Sequence, residues 1–362
     1  MIHTSPSTPP DTIRRCPLCG SSQSRHFEHL KHPVMPMEYR ICSDCSYVFQ
    51  AHAWEEEKLQ AYYSEQYRVQ MEQSDRPTDR VRAIENARAR LLTEKLAASG
   101  VVPNRHLDIG CSTGAFLLEC SNKFGCQPTG VEPGNSYRQF AQGRGLEVVP
   151  SIDAIAIDTS DRFDLVSLIH VVEHLADPVT TLVRVRETLL AQNSWLLVEV
   201  PNLYAHDSLE PAHVSAFSPH TLEQLLLKTG YRVMRTWMHG QPRSEILQLY
   251  ITMLAKPVKP ASTQVQAEQL VLFRRKICLF QRRVLQRLMP SRAWLGTDLL
   301  ALRPDVKTIT DPYTGETLVA FPAIACDVAV IHALVADRTG NARLNKNLGI
   351  DPELATIAPQ VI

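Results

Sequence analysis

Residues 107–117, "LDIGCSTGAFL", decide the fold. "RHLDIG" reads as a short buried strand, Gly110 and Gly114 bracket a turn of small polar residues, and "AFLLECSNKFG" continues with helical spacing to Gly125. A second strand, "PTGVEP", follows and ends at Glu132, about 20 residues beyond Gly110. The unit is therefore βαβ. It puts glycines at the carboxyl end of the first strand and an acid at the carboxyl end of the second, the layout that receives a ligand carrying a ribose. The acid is placed to accept hydrogen bonds from the ribose hydroxyls.

Three nucleotide ligands compete for such a turn. A triphosphate calls for a lysine in the loop, and "GCSTG" has none. A dinucleotide prefers G-x-G-x-x-G, whose second glycine lets the pyrophosphate approach the backbone, and Ser112 stands in that place. S-adenosylmethionine (SAM) has no phosphate, only a carboxylate, an amine, a sulfonium and the adenosine. Gly110 and Gly114 with small polar residues between them suit it best.

Further along, "RFDLVSLIHVVEHLADP" predicts a buried strand from Phe163, a loop at His170 and a helix that continues through "PVTTLVRVRETLLAQ", with "SWLLVEVPN" as the next strand. With "LDIGCSTGAF", "GVEP" and "HVSAFSPHTLEQLLLKTGY", these motifs resemble those of class I SAM-dependent methyltransferases across residues 80–255. The resemblance implies an α/β, Rossmann-like domain with a seven-stranded, mostly parallel sheet. It also implies that Gly110, Cys111, Ser112 and Gly114 line the methionine moiety and that Glu132 and Pro133 meet the ribose. By the same resemblance Asp108 supports the loop, Ser151 and Asp153 border the adenine, and His170 lies under the sulfonium. Glu173 and His174 read as the start of a helix, where an acid complements the dipole.

Nine cysteines are present, four of them in the close pairs "CPLCG" (Cys16, Cys19) and "CSDCS" (Cys42, Cys45). An odd total with two such knuckles argues against a disulfide framework and for one tetrahedral zinc ion. Four thiolates leave no open position, so the zinc is expected to be structural. Between this ribbon and the strand of the glycine turn, "AWEEEKLQAYYSEQYR" and "RVRAIENARARLLTEKLAASG" predict helices.

A four-cysteine module ahead of such a domain, with a Tyr-rich helix between, resembles the methyltransferases that act on carbon 3 of nucleotide-linked keto-deoxysugars. That family presents a Glu-His pair after the fifth strand. Here "HDSLEPAHVSAFS" places His213 at the histidine, whereas Ala212 replaces the glutamate and Glu210 lies nearby. A histidine titrates near neutrality, so His213 is the candidate general base, with Tyr62, Tyr63 and His206 as candidate orienters of a small-molecule acceptor. A purely structural role for His213 is the alternative.

Lys plus Arg and Asp plus Glu are equal, 38 each, so no global field recruits nucleic acid or an anionic membrane. The first residues lack a signal-peptide core and no segment has the apolar length of a bilayer span, which reads as a soluble, cytoplasmic chain. "LVLFRRKICLFQRRVLQRLMP" predicts an amphipathic helix that packs on the domain, pairs with a second copy of the chain or touches an anionic surface. Beyond it, the segment with "DPYTGE" and "DVAVIHALVADRTGN" resembles part of the α subunit of class I CoA-transferases, without that family's glycine-rich half. The expected organisation is thus a zinc ribbon (1–55), a helical connector (56–99), a SAM-binding domain (100–255), a linker with the basic helix (256–292) and a short α/β appendage without transferase activity (293–362). A binding or scaffold protein of the same fold, and a CoA-transferase relative, are the rival functions.

Overall fold

The computed structural model describes residues 13–30, 37–52, 75–155, 161–206, 209–210, 212–259 and 264–289, together with short strands between residues 307 and 361. Two compact units emerge, Met1–Thr297 and Asp298–Ile362. In the second, Lys307–Thr310 pairs with Thr317–Ala320 and Ala333–Ala336 with Ala342–Leu344, both antiparallel, while Val328–Ala329 runs parallel to Gln360–Val361.

The first unit begins with a small antiparallel sheet of β1 (Ser24–Leu30), β2 (Met37–Cys42) and β3 (Val48–Gln50), with the two cysteine pairs at its turns. Helix α1 (Asp79–Ala98) follows, opened by Thr78, whose side chain accepts from the Val81 amide at 3.3 Å. Then come β4 (Arg105–Ile109), α2 (Ala115–Phe124), β5 (Gln127–Val131), α3 (Asn135–Gly143), β6 (Glu147–Val149) and β7 (Phe163–Ile169). The remainder is α4 (Pro178–Arg184), β8 (Leu190–Pro201), β9 (Ser215–Ala216), α5 (Pro219–Lys228), β10 (Tyr231–His239), β11 (Tyr250–Pro257) and α6 (Val271–Leu288).

Seven strands form one sheet in the order β10-β11-β8-β7-β4-β5-β6, parallel except for β11, which runs against both its neighbours. Helices cover both faces, which is why the central strands read as unbroken apolar runs. Ile109, Val166, Val198 and Val200 pack toward Leu222 and Leu225 of α5, whereas Leu165, Leu197 and Leu254 meet Leu92 and Leu96 of α1 on the other side. The strand order reverses beside β4, so the carboxyl ends of β4 and β7 diverge there and open a crevice.

One expectation needs correction. The helix predicted through "HVVEHLADPVTTLVRVRETLLAQ" is broken: Val172–His174 make a single 3₁₀ turn, α4 starts at Pro178, a π turn spans Val185–Leu189, and β8 begins at Leu190. Proline disfavours helical backbone at the residue before it, and Asp177 instead caps the new helix by accepting from the Thr180 amide at 3.0 Å. The basic helix α6 packs on the domain through Val271, Cys278 and Leu285 and through its arginines, while much of its apolar face stays exposed. Arg275 donates to the carbonyls of Leu203 at 3.3 Å and His206 at 3.1 Å, while Phe273 and Phe280 are 60% and 67% exposed. Among the described residues no helix is long and apolar enough to cross a membrane.

Candidate active site

A cleft of about 760 Å³ lies along the carboxyl ends of β4, β5, β7 and β8. Asp108, Gly110, Cys111, Ser112, Glu132, Pro133, Ser151, Asp153 and His170 all line it, as do His206 and His213. Gly114 turns the chain into α2 behind the loop, with φ of 73°. Gly110 has φ of 78°, and a Cβ there would lie 2.4 Å from Val171 Cγ2, so the loop accepts only glycine at that point. Tyr62 and Tyr63 lie outside the described residues.

Two carboxylates shape the loop. Glu132 is 4% exposed, and its two oxygens accept from the amides of Ser112 and Gly134, each at 2.9 Å. Those bonds fix the carboxylate at the tip of β5. Glu85, from α1, accepts from Ser112 Oγ at 2.6 Å and from the Thr113 hydroxyl. Asp108 does not bond the loop. It accepts from Ser167 Oγ on β7 at 2.6 Å, and burial pushes its carboxyl up to about 7. Ser167 in turn lies 2.8 Å from His106 Nε2, and burial holds that imidazole down near 3.

At the floor, His170 adopts a left-handed φ of 57°, which turns its ring between two buried carboxylates. Nδ1 lies 3.3 Å from Glu173 and Nε2 lies 3.2 Å from Glu199. Burial and Arg88 lower its pKa, but the two carboxylates outweigh them and the net direction is upward. Glu199 also meets Arg88 at 3.1 Å, His239 at 3.2 Å and Thr252 Oγ1 at 2.8 Å. Glu173 and His174, expected to open a helix, instead occupy the isolated 3₁₀ turn, where Glu173 is 1% exposed. A carboxylate so deeply placed is not solvated helix-start decoration.

On the acceptor side, His213 Nε2 lies 3.2 Å from Glu210 Oε2, so the acid three residues upstream stands beside the imidazole despite Ala212. Burial and the neighbouring His174 hold His213 down near 3. His206 Nε2 donates to the Leu249 carbonyl at 3.0 Å, and burial lowers its pKa to about 4. The His213 loop is braced by the N-terminal ribbon. β9 pairs with β3, Gln50 Nε2 donates to the His213 carbonyl at 3.0 Å, and the Tyr39 hydroxyl bonds the carbonyls of His213 and Glu210.

In the ribbon, Cys16 and Cys45 sulfurs are 3.5 Å apart, as are those of Cys19 and Cys42, and all four lie within 4.8 Å of one another. Thiolates around a zinc at about 2.3 Å would be about 3.8 Å apart, so the donor set fits a tetrahedral ion.

Glu85, Arg88, Glu199, Arg243 and Tyr250 also belong to the site or its support, and sequence reading missed them. Glu85 and Arg88 sit one helical turn apart on a helix whose sequence gives no sign that these two face a cleft. Glu199, a lone acid inside the apolar strand "WLLVEVPN", carried the one legible signal, since a charge buried in a central strand must be paired.

A family of methyltransferase domains matches residues 80–236. The chain is 29% identical over 104 residues to a ubiquinone biosynthesis O-methyltransferase of Albidiferax ferrireducens, covering 26% of this chain and 40% of that protein. It is 46% identical over 71 residues to one of the subunits of the 3-oxoadipate CoA-transferase of Pseudomonas knackmussii, covering 20% of this chain and 25% of that polypeptide. The chain thus spans less than half the length of either relative. Among solved structures, the 1,6-didemethyltoxoflavin-N1-methyltransferase of Burkholderia thailandensis, with S-adenosylhomocysteine bound, aligns with 60% of this chain and 98% of its own at 17% identity and a TM-score of 0.45. Residues 80–236, which match that family of methyltransferase domains, carry the α/β, Rossmann-like methyltransferase fold with its seven-stranded sheet.

Proposed function

We propose that this protein is a SAM-dependent methyltransferase of a small molecule, a nucleotide-linked sugar or related saccharide precursor. The observation that carries the reading is the Glu132 carboxylate, pinned by two backbone amides at the tip of β5 and facing the lysine-free glycine turn across one cleft. That arrangement grips a ribose without a phosphate. Bound SAM would supply an already activated methyl group. The chain's own part is to exclude water, align the acceptor and remove its proton.

His213 is assigned the proton-accepting role, with Glu210 beside it to stabilise the imidazolium. Because burial keeps His213 neutral, it is receptive at neutral pH but weakly basic, so it suits an acceptor whose proton is already acidic, such as a carbon or hydroxyl next to a ketone. His206 and the floor histidine His170 then flank the acceptor. The four-cysteine cluster is assigned a structural zinc that holds the ribbon against the His213 loop.

The test incubates the protein with methyl-labelled SAM and a panel of nucleotide-linked keto-sugars. Label should pass to at least one acceptor, and H213A should lower kcat about 10²-fold or more with SAM affinity unchanged. No transfer to any member, or H213A within a few-fold of the parent, overturns the acceptor class or the base respectively.

A further inference from the structure

At the acceptor end of the cleft, Glu173, His174 and His213 each bring one ligand-type atom within 4.8 Å of the other two. All three line the cleft, and they come from two separate segments, the 3₁₀ turn after β7 and the loop before β9. Glu173 is 1% exposed, and neither of its carboxylate oxygens makes a well-formed hydrogen bond; Oε1 only faces His170 Nδ1 at 3.3 Å. Buried charge of this kind is costly unless it is paired or coordinates a metal. His174 Nδ1 lies 3.1 Å from the Ala212 carbonyl, which places the proton on that nitrogen and the lone pair on Nε2. A backbone clamp on one ring nitrogen is how a ligating imidazole is oriented, and Glu210 holds His213 in the same manner at 3.2 Å.

We propose that Glu173, His174 and His213 form a binding site for a divalent first-row cation, open toward the cleft, where the ion would hold oxygens of the acceptor. Two imidazoles and one carboxylate leave coordination positions free, unlike the closed four-cysteine cluster. Ligand atoms about 2.1 Å from one ion lie up to about 4.2 Å apart, so the cluster closes on a cation with sub-ångström side-chain movement. The role of the ion rests on the methyl-transfer reading, whereas its binding does not. In the loaded state His213 would be a ligand rather than a base, and the ion would lower the pKa of a bound hydroxyl, whose proton would pass to solvent in the open cleft.

The test uses the full-length, zinc-loaded chain and Mn²⁺ as the probe, because Mn²⁺ favours nitrogen and oxygen ligands over the thiolates of the ribbon. Free Mn²⁺ is followed by electron paramagnetic resonance and the heat of binding by calorimetry. One Mn²⁺ should bind per chain. H174A and E173Q should each weaken it at least tenfold, while E223Q, on the exposed side of α5, leaves it unchanged. S-adenosylhomocysteine affinity, measured on every variant, reports whether the fold survives. Absence of Mn²⁺ binding by the parent, or undiminished binding in both folded variants, overturns the site. S-adenosylhomocysteine binding without Mn²⁺ binding overturns this inference alone, and Mn²⁺ binding without it overturns the methyltransferase reading alone.

Discussion

Replacing Asp108 by Asn should change how the protein's stability depends on pH. The carboxyl is buried and rises from 3.8 to about 7 on folding, a displacement that corresponds to about 4 kcal/mol between its protonation states. The sign follows from linkage. A group whose folded pKa is raised contributes stability that is complete below its unfolded pKa and is lost as pH climbs through the folded value. Wild type should therefore lose stability from this group between pH 4 and pH 7.5, and D108N should not. Asparagine keeps an oxygen for the Ser167 hydroxyl, which now donates at 2.6 Å, so the comparison isolates the charge. His106, His206 and His213, held near 3, 4 and 3, work in the opposite direction, since their depressed values cost stability as pH falls below the ordinary histidine range. They are common to both proteins and cancel in the difference. Thermal unfolding of the ligand-free proteins, followed by fluorescence across that window, measures it. At roughly 2–4 °C per kcal/mol for a chain of this class, Tm of D108N relative to wild type should rise by roughly 10 °C from pH 4 to pH 7.5. Parallel Tm profiles would refute the argument that Asp108 is buried without a counter-charge.

Other outcomes follow from the same geometry. E132Q puts an amide donor against one of the two amides that now donate to Glu132, and should weaken S-adenosylhomocysteine binding by roughly 10–100-fold, read by calorimetry; affinity within twofold of the parent would rule out the ribose grip. Cys42→Ser removes one corner of the thiol cluster and with it the support of β3 under β9. It should abolish turnover yet leave S-adenosylhomocysteine affinity within a few-fold, because the cofactor end of the cleft is built from other strands; equal loss of both would place the ribbon's role elsewhere. Deleting residues 293–362 should leave methyl transfer unchanged, and a matching loss of activity in a truncation that still melts cooperatively would refute that.

What could be read in the sequence is what is local. The strand, glycine turn, helix and following acid of residues 107–132 lie within one βαβ unit, so their spacing alone encodes the glycine-turn end of the cleft. The paired cysteines announced their cluster for the same reason: each knuckle is a short-range feature, and two of the same kind imply a partner. The acceptor side gave no such signal. His213 and Glu210 were visible as residue types but their approach was not, and Glu173 and His174 read as an ordinary helix start, whereas a separate helix begins only at Pro178.

Tertiary structure alone decided which distant groups share the cleft. Glu85 reaches the glycine loop from α1, 27 residues upstream of Ser112, and Glu199 gathers Arg88, His170, His239 and Thr252 from four elements. Likewise β3 pairs with β9, distant in sequence, which makes the four-cysteine ribbon a buttress for His213. Periodicity records which face of an element is buried, a property of neighbouring residues. Which charges meet on that buried side depends on how the sheet orders its strands, and a single sequence carries no local mark of that order.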